Sequence, residues 1–118
     1  MTNIELQALR RLFMLTIDEA AKYIASDVSP NQWQAWEQGE ESIPDEVVEN
    51  IQKLRNERKD KVARIIEKIN NRIGNNTIRY FMTFEDFHKV NPELNVLSWR
   101  LHQSIATELY FRGLETLC

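Results

Sequence analysis

Apolar residues recur at helical spacing through most of the chain. Ile4, Leu6, Leu9, Leu12 and Phe13 predict a helix over about residues 3–14. Ile17, Ala20, Ala21 and Ile24 predict a second over about 17–25, where two adjacent alanines let a neighbouring helix come close. A third, shorter helix is expected at about 30–38. Ser29 can cap it, Pro30 suits its first position, and Gln32 can complete a capping box. Gly39 can take the left-handed conformation that ends it. Start signals of this kind recur as Thr2 with Glu5, Thr16 with Glu19, Ser29 with Gln32 and Ser42 with Asp45, at intervals of 14, 13 and 13 residues. Helices this short cannot each bury a face alone, so the first three must share one core.

From Pro44 to Ile73 the helical pattern continues. Val47, Val48, Ile51 and Leu54 form one stripe; Val62, Ile65, Ile66, Ile69 and Ile73 form another. The charged run Arg55–Lys61 lies between them; it fits either the exposed middle of one long helix or a break between two, and a break or bend near residues 57–60 is favoured. Gly74-Asn75-Asn76 is the clearest breaker. Residues 77–82, TIRYFM, are β-branched and aromatic and read as a single strand. A lone strand leaves its edges unpaired, which points to the same strand of a second copy as its mate. Thr83 and Asp86 open a helix over 84–90, and Asn91-Pro92-Glu93 ends it. A final helix starts at Asn95 or Ser98 and runs to about Arg112, with Leu97, Leu101, Ile105 and Leu109 at four-residue steps and Trp99, Tyr110 and Phe111 widening the apolar surface. The fold class expected is mainly all-α: a helical domain over 1–73, then strand plus helices over 74–118.

Composition narrows this little: 118 residues, 42% hydrophobic and 28% charged, with three glycines and three prolines, suit a soluble, helix-rich protein of one domain, or of a small domain with an extension. No apolar run nears the ~20 residues of a membrane helix, and the N-terminus lacks the basic-then-apolar pattern of a signal peptide. The single cysteine, Cys118, leaves no internal disulfide framework and fits a cytoplasmic location. Charge is more informative in its distribution than in its total of −3. Residues 1–50 carry three basic and ten acidic side chains, a sum of −7; residues 51–79 carry nine and three, +6; residues 80–118 carry three and five, −2. The basic band fits either a local anionic-ligand patch or a solvated helix face laced with pairs such as Glu57–Lys61.

The residues at 30–38 carry the most suggestive chemistry. Trp33, Trp36 and Glu37 share one face and can anchor the helix. Asn31, Gln32, Gln34, Ala35 and Gln38 are left outside. Asn and Gln amides can pair bidentately with adenine in a major groove. The same pattern also fits an ordinary amphipathic helix with a wet polar side. Nothing comparable points to catalysis. His88 and His102 lack ligand spacing, so no metal or other cofactor is expected. Ser104 and His102 have no orienting acid, Asp18/Glu19 and Asp45/Glu46 read as helix-start charges, and no glycine-rich phosphate loop or small-molecule site is evident.

The runs Leu15-Thr16-Ile17-Asp18-Glu19-Ala20-Ala21, Trp33-Gln34-Ala35-Trp36-Glu37-Gln38-Gly39 and Ile43-Pro44 resemble the λ repressor/Cro (XRE) helix-turn-helix family. The whole chain more closely resembles its YdiL-like group, which includes anti-CRISPR-associated phage repressors. The openings Met1-Thr2-Asn3 and Glu5-Leu6-Gln7-Ala8, the Ser29 to Gly39 core, and Trp99-Arg100-Leu101 with Gln103-Ser104 carry that likeness. It implies a small homodimeric repressor that inserts the third helix into an inverted-repeat operator of double-stranded DNA and dimerises through its C-terminal part. Asn31, Gln32, Gln34, Ala35 and Gln38 then face base edges, with Arg10, Thr16 and Ser42 as phosphate neighbours. Ile78, Tyr80, Leu97, Leu101, Ile105 and Leu109 become the dimerisation candidates. The family pattern also pairs Arg10 with Glu37. Departures from it are the lack of Lys or Arg in the third helix, Glu40 and Glu41 where a basic residue is common, a longer turn without glycine at 25–28, and Ile17 in place of a phosphate-contacting glutamine. The acidic residues suit a second reading, a protein-interaction module on a repressor-like fold.

Overall fold

The computed structural model describes residues 1–71 and 76–118. The end of the predicted fourth helix at Ile73, the breaker residues Gly74 and Asn75, and Arg72 of the basic band lie outside the described residues. Among the described residues there are six helices and one two-stranded sheet: α1 (Asn3–Leu12), α2 (Ile17–Tyr23), α3 (Pro30–Glu37), α4 (Asp45–Asn70), β1 (Thr77–Ile78), α5 (Phe84–Val90), α6 (Val96–Phe111) and β2 (Thr116–Leu117). The chain divides into two compact units, Met1–Asn56 and Glu57–Cys118. The α4 helix itself runs unbroken for 26 residues, which corrects the expected break near 57–60. A run of charge is compatible with a helix interior when its side chains are solvated or paired, and charge alone is no helix breaker.

The first unit starts its helices where the local chemistry dictates. Thr2 and Thr16 each close a full capping box: their hydroxyls accept from the backbone N–H of Glu5 and Glu19, whose carboxylates accept from the threonine N–H groups. Ser29 caps α3 by accepting from Gln32 N–H at 3.1 Å. The Gln32 side chain does not return to complete the box; it pairs with Glu41 instead. The first two links between helices use left-handed residues other than glycine. Met14 (φ 60°) turns the chain after α1, and Ser26 (φ 58°) and Asp27 (φ 65°) turn it after α2. There, Asp27 and Val28 N–H groups reach back to the carbonyls of Lys22 and Ala21. Each such residue costs roughly 1–2 kcal/mol in a conformation glycine takes freely. The packed helices offset that strain.

α3 packs against both α1 and α2. Leu6, Phe13, Ala20, Ala21, Trp33 and Ile51 are all at most 1% exposed. Ala20 and Ala21 serve the close approach expected of them. Ile4 and Leu12, counted on the apolar stripe of α1, face solvent at 73% and 48% exposure. Asn50 of α4 donates to the Ile24 carbonyl at 2.9 Å, satisfying a group at the C-terminal end of α2.

In the second unit, Phe81, Phe87 and Trp99 form a cluster joined by Phe84 and Val96. The Trp99 indole and the Gln103 amide both donate to the Phe81 carbonyl, at 2.8 and 2.9 Å. Asn95 caps α6 through Ser98 N–H, which settles its start between the two expected positions. The strand is shorter than the predicted 77–82, and its mate lies in the same chain. β1 pairs in parallel with β2, Thr77 opposite Thr116 and Ile78 opposite Leu117. Cys118 and Tyr80 extend the ladder. This replaces the expected pairing with a second copy. A parallel partner needs a long crossover, here α5 and α6, and that leaves no local signal in sequence.

Candidate nucleic-acid interface

α3 is held from behind by a buried charge cluster. Arg10 of α1 forks onto Glu37: Nε donates to Oε2 at 2.6 Å and Nη2 to Oε1 at 3.1 Å. Its remaining nitrogen, Nη1, donates to the Leu15 carbonyl at 3.0 Å. The Trp33 indole N–H donates to Glu37 Oε2 one helical turn away. The two side chains of the ion pair are only 10% and 3% exposed. A planar guanidinium suits this two-point grip on a carboxylate, which fixes rotation as well as distance. Trp33 is fully buried and meets Trp36 edge to face at 5.7 Å. At the C-terminal end of the helix, Asn3 donates to the Glu37 carbonyl at 3.1 Å. Gly39 (φ 76°) then reverses the chain close over the Asn3 side chain.

This geometry removes Arg10 from the candidate phosphate neighbours, because it is 8% exposed and its guanidinium nitrogens point inward. Thr16 and Ser42 remain on the surface, although the Thr16 hydroxyl already accepts from Glu19. Trp33, Trp36 and Glu37 are buried, as anchoring residues must be. Asn31, Gln34 and Gln38 are exposed; Gln32 and Ala35 are half-buried. Residues 31, 34, 35 and 38 recur at helical spacing, so they form one stripe roughly 10 Å long. That is about three base-pair steps. Sequence reasoning missed Asn3, and it missed the contact between Gln32 and Glu41. Both join residues whose partnership no periodicity encodes.

Burial pushes the Glu37 carboxyl up, but hydrogen bonds from Arg10 and Trp33 and the Arg10 charge outweigh it, holding the group below its ordinary 4.5. A carboxylate with a depressed folded-state pKa stabilises the fold above its unfolded value, and that contribution fades as pH falls through the folded one. Glu37→Gln should therefore destabilise the protein at pH 7, with a penalty that shrinks below about pH 4.5. Urea unfolding of both proteins from pH 7 to pH 3 checks this; a penalty constant across that range would contradict it.

The C-terminal candidates divide differently. Leu101, Ile105 and Leu109 are 3%, 3% and 0% exposed, packed within the chain itself, which corrects their assignment to a partner-facing surface. Ile78, Tyr80 and Leu97 are half-buried. The large apolar side chains left open near the end of α6 are Tyr110 and Phe111, at 58% and 87%. Arg58 is buried beneath α6, bonded to Ser104 Oγ at 3.0 Å and to Glu108 at 2.8 Å. This residue of the basic band is thus structural.

The model of the Aca2/YdiL-like family matches residues 1–118. The chain belongs to the Aca2/YdiL-like family. It is 49% identical over 118 residues to a family relative described as Uncharacterized protein YdiL, from Escherichia coli (strain K12), with 100% of each chain covered. It is 37% identical over 114 residues to the Aca2 repressor of Pectobacterium phage ZF40, with 96% of each covered. Among the described residues no helix is long and apolar enough to cross a membrane.

Proposed function

We propose that the protein is a sequence-specific DNA-binding repressor. α2, the left-handed turn and α3 act as a helix-turn-helix, and α3 enters the major groove of an inverted-repeat operator. One observation carries this reading: on a helix whose Trp33 and Glu37 are 0% and 6% exposed, Asn31, Gln34 and Gln38 stand open to solvent on one stripe. A helix with its rear face locked and its front face lined with amides suits direct readout of base edges. The relative named Aca2 repressor supports the regulatory role. Two copies bind two half-sites, with Tyr110 and Phe111 available for the partner. The protein acts in the cytoplasm, without a catalytic step and without metal or cofactor.

Selection from random duplexes at two salt concentrations tests this. The expected result is one inverted repeat, with half-sites a helical turn or a multiple of it apart. Affinity should fall at the higher salt, but with a shallow slope, because α3 has no Lys or Arg and phosphate contacts set that slope. Enrichment of nothing at low salt would overturn it. The exposed Glu40 and Glu41 favour the second reading, a module that binds a basic protein surface; that outcome would then be the one to pursue.

A further inference from the structure

The two acidic residues after α3 look out of place beside DNA, yet one of them touches the proposed reading helix. Gly39 turns the chain back, and the N–H groups of Glu40 and Glu41 both reach the Ala35 carbonyl, at 2.9 and 3.4 Å. This return brings the Glu41 carboxylate alongside Gln32, whose Nε2 donates to Glu41 Oε2. A carboxylate only accepts hydrogen bonds, so it can face the amide nitrogen and never the amide oxygen. Gln32 is thereby held in one of its two flip states.

We propose that Glu41 is a specificity-setting positioning residue that fixes the orientation of the Gln32 amide for base readout. The inference rests on the DNA-binding reading. The Gln32 nitrogen has two hydrogens. One goes to Glu41; the other lies beside the carbonyl oxygen, giving a donor and an acceptor side by side. That pair matches N7 and N6 of adenine. At guanine the acceptor would oppose O6, another acceptor. Flipping does not rescue guanine, because the amide oxygen then opposes N7, but at thymine a flipped amide gives its nitrogen to O4 while its oxygen meets only the C5-methyl; an amide held by Glu41 cannot flip and so rejects thymine as well. The same negative charge repels phosphates, so Glu41 lowers affinity for all duplexes while sharpening the choice among them.

Glu41→Gln keeps the shape but removes the charge, and its amide can satisfy Gln32 in either flip state. Selection from random duplexes with this variant should weaken the preference for adenine over thymine at one position of each half-site by about five- to tenfold, with the other positions kept. Affinity for mixed-sequence DNA should rise several-fold. In a Gln32→Ala background the same substitution should leave the base preference unchanged and still raise general affinity, which separates positioning from charge. An unchanged preference in Glu41→Gln, or an equal loss in both backgrounds, would overturn the inference. If the unaltered protein enriches nothing, the DNA-binding reading itself fails. Thermal melts should show both variants folded, since Glu41 is exposed and Gln32 half-buried.

Discussion

Glu37→Ala should cost about 3–5 kcal/mol of stability, the loss expected when one partner of a buried ion pair is removed. The carboxylate serves three groups at once: Arg10 Nε, Arg10 Nη2 and the Trp33 indole. Without it a guanidinium stays at 8% exposure with no counter-charge, and a fully buried indole N–H has no acceptor. Neither can reach water without moving α1 or α3. Most domains of this size hold only 5–15 kcal/mol in total, so the variant should be close to unfolding at physiological temperature. Replacing both charges, Arg10→Met with Glu37→Leu, should recover much of the loss, because no unpaired charge is left behind. Urea unfolding of the three proteins checks this. A cost below about 1 kcal/mol for Glu37→Ala, typical of an exposed pair, would show that the cluster does not hold α3.

The second large effect falls on recognition and leaves stability alone. Asn31→Ala with Gln34→Ala should remove two amides from the exposed stripe. Each lost bidentate contact is worth about 1–3 kcal/mol of base discrimination. Together they should reduce the preference for the selected operator over mixed-sequence DNA by roughly 30-fold to 10⁴-fold. Both side chains are exposed, so the unfolding midpoint should barely move. Binding to mixed-sequence DNA should also persist, since phosphate contacts supply most of it. Competition gel shifts against both duplexes read the two quantities separately. An unchanged ratio would place base readout elsewhere.

The parts of this fold that were legible in sequence are those governed by local chemistry. Thr2, Thr16, Ser29, Thr83 and Asn95 each start a helix near where they predict one, because a capping side chain and the N–H it accepts from lie three residues apart. The anchoring role of Trp33 and Trp36 was legible for the same reason: helical periodicity puts them on one face. What was illegible depends on distant partners. Thr116 and Leu117 give no strand signal alone and are a strand only because residues 77–78 lie beside them. The charged stretch at 55–61 read as an interruption because the partners of the buried Arg58, Ser104 and Glu108, lie 46 and 50 positions on. Glu40 and Glu41 read as an obstacle to DNA until the reversal at Gly39 brought Glu41 to Gln32. Arg10 was visible as a charge, but whether it faced a phosphate or the interior depended on Glu37 and Leu15 being within its reach.

The most direct test of α3 as the reading element is to follow side-chain amide resonances by NMR while the selected operator is titrated in. The NH₂ signals of Asn31, Gln34 and Gln38 should shift or broaden with operator and far less with a scrambled duplex, while that of Asn3, bound to the Glu37 carbonyl, keeps its hydrogen bond in both. Operator binding that leaves all three exposed amides unperturbed would contradict the account.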